Sequence, residues 1–439
     1  MQIRRKNFLA LSGVAASMTL LAACGGDSDG GDTGGTTGGD DTGASDAGGA
    51  SDAGGAAEGE EEGAPERADA DLVIWADELK AQSLDAPAKA WAEQNGLTVA
   101  VQTVANDTQT NFITANQAGN GPDIVLGAHD WIGNMVQNGA ISPVQMPADA
   151  ADKVAPIGME AVTYDGQTYG VPYAVEALVL FANNALTDVP EPATIEELVA
   201  AAGDAEVKLS LPVGQQGDAY HMQPLYTSGG GYLFGTDAEG NQDPSDLGVG
   251  KEGSIAAAEK IGALGAEGVL STSVSGDNAI SLFTDGKAPY LISGPWALAD
   301  INAAGIEYTM SAVPGFEGME PAVPFAGVNA FYVASNGQNA GFAQQFVGEV
   351  ASNPEIAEQM FQSNNLPPVN LELQESLAGE FPDMVKIAEI AEGAAPMPSI
   401  PQMAAIWGPL GQAQANIVGG ADPASTMESA GEEIAGQIG

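Results

Sequence analysis

The sequence is poor in the residues that carry most protein chemistry. One cysteine in 439 residues excludes an intramolecular disulfide framework and a thiolate metal cluster. The two histidines, His129 and His221, stand apart in no metal-ligand spacing. Positive charge is also scarce: 12 Lys and Arg face 59 Asp and Glu, a net charge of −47. Phosphate neutralisation needs Lys and Arg, so nucleic acid is excluded as a partner. Anionic lipid surfaces and polyanionic substrates are disfavoured on the same ground. There is no Gly-rich phosphate loop with a following Lys-Ser/Thr, no dinucleotide fingerprint and no nucleophile elbow. A Ser-His-Asp triad or a glycosidase carboxylate pair is not excluded, but acids are too abundant for their presence to mean much. No catalytic residue, metal or cofactor is expected.

What is present starts with an export signal. Arg4, Arg5 and Lys6 precede an uncharged, mostly apolar stretch from Phe8 to Ala23. That length suits a signal peptide and is short for a bilayer-spanning helix. The single cysteine follows in Leu21-Ala22-Ala23-Cys24. This resembles the lipobox of bacterial lipoproteins. It implies cleavage after residue 23 and a lipid on Cys24 that holds the protein on a membrane without spanning it. The Arg4-Arg5 pair suits either general or twin-arginine export. Residues 24–68 are nearly all Gly, Asp, Ser, Thr, Ala and Glu, with twelve acids between Asp27 and Glu66. Such a segment cannot bury enough surface to order itself and is expected to be a flexible, acidic tether.

The length suggests two or three domains. After Arg67, 47 acids face eight lysines. A body so charged repels itself at low salt and is expected to gain stability as salt is added. Its rhythm is α/β. Apolar runs at Asp71–Trp75, Leu97–Val104, Asp123–Leu126, Leu209–Pro212 and Ala288–Ser293 predict strands. Helices are predicted at Ala86–Gln94, Thr108–Gln117, Asp130–Asn138 with Asp130 as N-cap, and Ser254–Leu264. Strands alternating with helices imply a mainly parallel sheet. No internal repeat, further membrane span or heptad array is present.

At Gly121-Pro122-Asp123-Ile124, followed by Ala128-His129-Asp130, the sequence resembles the maltose/maltodextrin-binding proteins of bacterial ABC importers, within the carbohydrate solute-binding family. The likeness spans about 370 residues in order. It includes Leu72-Val73-Ile74-Trp75, Tyr169-Gly170-Val171-Pro172-Tyr173-Ala174-Val175-Glu176-Ala177-Leu178, Gly229-Gly230-Gly231-Tyr232, Ser293-Gly294-Pro295-Trp296-Ala297 and Met397-Pro398-Ser399-Ile400-Pro401-Gln402-Met403, then Trp407. The resemblance implies a two-lobed periplasmic-binding-protein-like fold of type II, with discontinuous lobes, a hinge and a ligand cleft. The lobes are expected at 69–175 plus about 314–380, and at 176–313 plus about 381–439. Chain crossings are expected near Val175–Leu178, Val313–Gly315 and Ser376–Pro382. The implied partners are a neutral oligosaccharide and ABC permease subunits with a cytoplasmic ATPase. The protein is expected to be a monomer, lipid-anchored on the outer face of the cell membrane.

A neutral sugar has apolar C–H faces that stack on aromatic rings and hydroxyls that bond to carboxylates, Lys, Asn and backbone N–H. Of the five tryptophans, Trp75 and Trp91 lie in apolar surroundings and read as core. Trp296 and Trp407 match stacking positions of the family. Asp130 and Glu176 match its ligand carboxylates, and Glu176 interrupts an apolar run, which is costly unless partnered. Asp218 and Tyr220 fall where the family has an acid and an aromatic. Asp77, Glu78 and Lys80 follow the first strand, where polar contacts are expected, although a solvated lysine is the plainer reading. Trp131 replaces an Arg and either lines the cleft or packs. Gly127, Gly408 and Gly411 also depart from the maltose-binding pattern. This leaves the sugar open among maltose, longer maltodextrins, trehalose and other oligosaccharides.

Overall fold

The computed structural model describes residues 64–237, 242–364 and 366–438. The expected signal peptide 1–23, the lipidation at Cys24 and the tether up to residue 63 lie outside them. Among the described residues no helix is long and apolar enough to cross a membrane.

Leu72–Ala76 forms the first strand and is buried throughout. Parallel partners flank it on both sides, Val99–Thr103 and Ile124–Ala128. Burial on both faces explains a continuous apolar run in place of alternation. The intervening helix, Glu78–Asn95, starts earlier than predicted. Asp77 caps it by accepting from Lys80 N at 2.9 Å, and Gly96 in the left-handed region ends it. Pro87 lies inside it; burial of Leu84, Ala88 and Trp91 outweighs the local preference that argued for a start at 86.

The expectation of a mainly parallel sheet is corrected. Phe325–Ala334, buried along its whole length, runs antiparallel to Ile124–Ala128 and Gly170–Ala177, in a seven-stranded mixed sheet. A second, three-stranded sheet is wholly antiparallel, with Val179–Asn183 between Tyr290–Ser293 and Tyr308–Ser311. The stretch 209–212, expected as a strand, makes one isolated bridge, Ser210 to Leu291.

The chain passes between the sheets at a narrow place. It leaves the large sheet at Ala177 and enters the small one at Val179. Val313 and Phe316 still pack in the core beside the small sheet. The return is therefore at Phe325–Ala326, past Val313–Gly315. Ala326 pairs with Ala177, so exit and re-entry share one end, which makes the two strands antiparallel. Helices Leu371–Leu377 and Pro382–Ala391 place Leu373, Leu377, Met384 and Ile387 against Val179, Phe181 and Leu291 of the small sheet. A further passage follows at Pro396–Met397: Pro396 pairs with Ala326 and Met397 enters the small-sheet core.

Glu66 and Arg67, expected at the end of the tether, are part of the fold. Arg67 bonds Asp123 at 2.8 Å and Gly121 O at 2.9 Å. Asp123 also accepts from Val73 N at 2.8 Å and Asn339 N at 2.9 Å. The one arginine beyond residue 5 is thus spent on a buried pair.

Candidate functional site

Glu176 sits one residue before the first passage. Its strand partner is Gly327, and a Cβ there would come within 2.9 Å of Glu176 Cγ. The glycine makes room for the acid. Burial raises the Glu176 pKa, while Lys80 and a hydrogen bond from Asn329 hold it down and Asp77 pushes it up. Lys80 is itself paired with Asp77 through its ammonium group. Asp77, Lys80, Glu176 and Asn329 therefore form one polar cluster. Glu78 is not brought into it: it is exposed and accepts from Gln82 on the same helix.

A register break adds a residue the sequence reading missed. Asn329 pairs with Ala174, but Ala330 pairs with Pro172, so Tyr173 is the extra residue of a bulge. Pro172 has no N–H to donate, which favours a break here. Tyr173 packs on Phe331, and its hydroxyl is buried with no protein partner. Burial holds its pKa well above the usual value, with Asp77 and Glu176 adding to the effect.

The predicted helix from Asp130 is replaced by a 3-10 turn, His129–Trp131, leading into Ile132–Gln137. Asp130 lies inside the turn, so it makes no N-cap bond. Its Oδ1 is buried without a protein partner, and burial pushes its pKa up to about 6. Beside it, His129 is fully buried. Its Nδ1 accepts from Val328 N at 3.1 Å, which leaves Nε2–H to donate to Met397 O at 3.1 Å. Burial depresses its pKa to about 4, so the ring is neutral. It clasps the strand of the second passage to the first residue after the third.

Trp131 packs its ring against Gly127: a Cβ at 127 would be 2.0 Å from the ring. The ring thus occupies the place of the missing side chain. Trp131, Asp130, Asn134, Gln109, Pro401 and Trp407 line a cavity of about 220 Å³. Trp296 is seated in the same manner on Gly294, where a Cβ would be 2.2 Å from the ring, and it remains 37% exposed.

Aromatic rings join the two stacking candidates. Trp296 meets His221 at 6.0 Å and Tyr220 at 6.4 Å. Tyr220 stacks on Phe325 at 6.1 Å, and Phe325 meets Trp407 edge-on at 5.8 Å. His221 and Phe325 were not anticipated. Asp218 caps Ala219–Ser228, accepting from His221 N at 3.0 Å and Nδ1 at 2.7 Å. Burial would raise the Asp218 pKa, but the His221 bonds and charge hold it below the usual value. The Tyr220 hydroxyl is buried and unpartnered; burial raises its pKa, and Glu176, Asp218 and Asp130 all add to the shift. The row of rings therefore meets the acids. Trp75 and Trp91 lie in the core, as the sequence suggested. Among the described residues no group of three His, Cys, Asp or Glu could hold a metal.

Known proteins share this architecture. The model of a family described as bacterial extracellular solute-binding protein matches residues 86–389. A galactooligosaccharide-binding protein of Bacillus subtilis is 29% identical over 385 residues, covering 84% of this chain and 90% of its own. A maltooligosaccharide ABC transporter solute-binding lipoprotein of Streptococcus pneumoniae is 25% identical, covering 81% of this chain and 86% of its own. The crystal structure of a cyclo/maltodextrin-binding protein complexed with maltotetraose superimposes with a TM-score of 0.73 at 26% identity. It covers 85% of this chain and 98% of that one.

Proposed function

The chain belongs to the bacterial extracellular solute-binding proteins, and on that premise we propose that it captures a neutral oligosaccharide outside the cell and delivers it to an ABC permease. The supporting observation is a row of rings meeting polar atoms that lack protein partners. Trp296, Tyr220 and Trp407 offer faces for sugar C–H surfaces. Asp130 Oδ1 and the Tyr173 and Tyr220 hydroxyls offer bonds to sugar hydroxyls. Buried polar groups left open are costly, and a ligand that fills them recovers that cost. The anchor is a lipid on Cys24, and the partners are permease subunits with their cytoplasmic ATPase. The protein acts as a monomer and does no chemistry on the sugar.

The ligand of first choice is a maltodextrin-type α-glucoside, supported by the names of a relative and a structural neighbour. A second reading keeps the fold and changes the sugar. It is favoured by the relative named for galactooligosaccharides and by the exchange at Gly127 and Trp131. In either case the lobes lie on the two sides of the passages at 177–179, 325–326 and 396–397. They close by bending there, because only a ligand touching both sides favours closure.

Calorimetric titration with maltose, maltotriose, trehalose and a galactooligosaccharide tests this. A saturable one-to-one isotherm is expected with at least one sugar, which is then recovered intact by chromatography. No heat with any of them would overturn the neutral-sugar reading; hydrolysed sugar would overturn the non-catalytic one.

A further inference from the structure

The segment from His129 to Gly133 meets the stretch after the third passage at two points. At the first, His129 Nε2–H donates to Met397 O at 3.1 Å, while Nδ1 accepts from Val328 N at 3.1 Å. At the second, Gly133 rests on the backbone of 399–401: an added Cβ would be 2.1 Å from Ser399 O and 2.8 Å from Pro401 N. Only a residue without a Cβ fits so close to a carbonyl. Both contacts join the two cores. Ile132, next to Gly133, packs in the core of the large sheet, and Met397 packs in that of the small one.

His129 and Gly133 are buried and do not line the 220 Å³ cavity, but their neighbours do. Asp130 and Trp131 lie between them in the chain. Ile400 and Pro401 follow Ser399, and the 3-10 turn Pro401–Ala405 leads to Trp407. The two walls of the cavity are therefore set by how these segments seat on each other. A binding group works only when its supporting residues fix it to within about 0.5 Å. The Val328 bond stays on the side of the large sheet, to which that strand belongs; the Met397 bond crosses the passage. We propose that His129 and Gly133 are positioning residues for sugar binding. Without touching the ligand, they hold Asp130 and Trp131 in register with Trp407 across the third passage. This rests on the oligosaccharide reading above.

Two substitutions separate the bonds of His129. His129→Asn keeps an acceptor at the place of Nδ1 and is too short to reach Met397 O. His129→Gln carries an amide N–H to the place of Nε2 and gives up the Val328 bond. Each loses one buried hydrogen bond, so the two melting temperatures fall by similar amounts. The full-length protein, both variants and Gly133→Ala are titrated with maltotriose and with a galactooligosaccharide, with thermal melts alongside. His129→Asn is expected to bind the sugar that the parent protein takes about tenfold more weakly, and His129→Gln to stay within about threefold of the parent. Gly133→Ala, whose Cβ must displace Ser399 O, weakens binding at least as much as His129→Asn. Affinity unchanged in His129→Asn and Gly133→Ala, or lowered equally in the Asn and Gln variants in step with their stability, overturns the positioning role and leaves the oligosaccharide reading standing. Binding of neither sugar by the parent protein overturns both.

Discussion

Two aspartates stand at opposite ends of the strand Ile124–Ala128. Asp123 precedes it and is fully buried, with Arg67 and two backbone N–H groups on its carboxylate. Asp130 follows it, and one of its oxygens is buried with no protein partner. The strand is parallel to its neighbour Leu72–Ala76, so both ends have a meaning. Ligands gather outside the carboxyl ends of parallel strands, where the loops are free to vary. Asp77 and Lys80 follow the carboxyl end of Leu72–Ala76 in the same way. A satisfied acid holds the fold together, whereas an open one weakens it; on the proposed function the open one is completed by the ligand.

The strongest way to break this contrast is to orphan Asp123. Arg67→Ala leaves a buried charge unpaired and is expected to cost roughly 3–5 kcal/mol in urea denaturation. A truncation that removes residues 1–68 carries the same penalty, whereas one that ends at residue 63 does not.

Acid separates the same groups by sign. Burial lowers the pKa of the folded His129 from the ordinary 6.5 to about 4. Between those values the unfolded chain binds more protons, so stability falls as pH drops from 6.5 to 4, by on the order of 3 kcal/mol. The folded Asp130 has a pKa of about 6 against 3.8. Its penalty is therefore present above pH 6 and is relieved as pH falls toward 3.8. The two effects offset in the parent protein. Asp130→Asn removes the relief, so its stability profile should fall more steeply with acid. A parallel profile would mean that Asp130 is not strained by burial.

On the aromatic side, Trp296→Ala is expected to weaken sugar binding by about 2 kcal/mol, near thirtyfold, with little change in melting temperature. On the polar side, Asp130→Asn should do two things at once. Sugar affinity falls, yet the ligand-free protein at pH 7 gains on the order of 1 kcal/mol. A variant that lost both would place Asp130 with Asp123, among the acids that hold the fold. The smallest effect is expected from salt: added NaCl raises the melting temperature by screening the acidic surface. A melting temperature unchanged or lowered by salt would count against self-repulsion of the acidic body.

Part of the candidate site was legible in the sequence. Glu176 stood out as an acid inside the apolar run 174–178, and the family resemblance singled out Trp296 and Trp407, which the structure joins in one row of rings. Tyr173 was missed, although Pro172 inside a strand was a usable signal for a bulge. His221 had a weaker one, three residues beyond Asp218 at the start of a helix. Phe325 had none. It becomes part of the ring row because a chain passage sets it between Tyr220 and Trp407. Glu78 shares the chemistry of its neighbours, but its helix turns it to solvent.

The sequence by itself determined the α/β rhythm, the helix stop at Gly96 and the buried first strand. These depend on periodicity, caps and composition, which act over a few residues. Only the tertiary structure decided which acids are paired, where the chain changes sheets and which glycines carry a tryptophan ring. Asp123 finds Arg67 56 positions away, and His129 finds Met397 268 positions away. Such pairings rest on shape and burial at long range, and no local pattern encodes them.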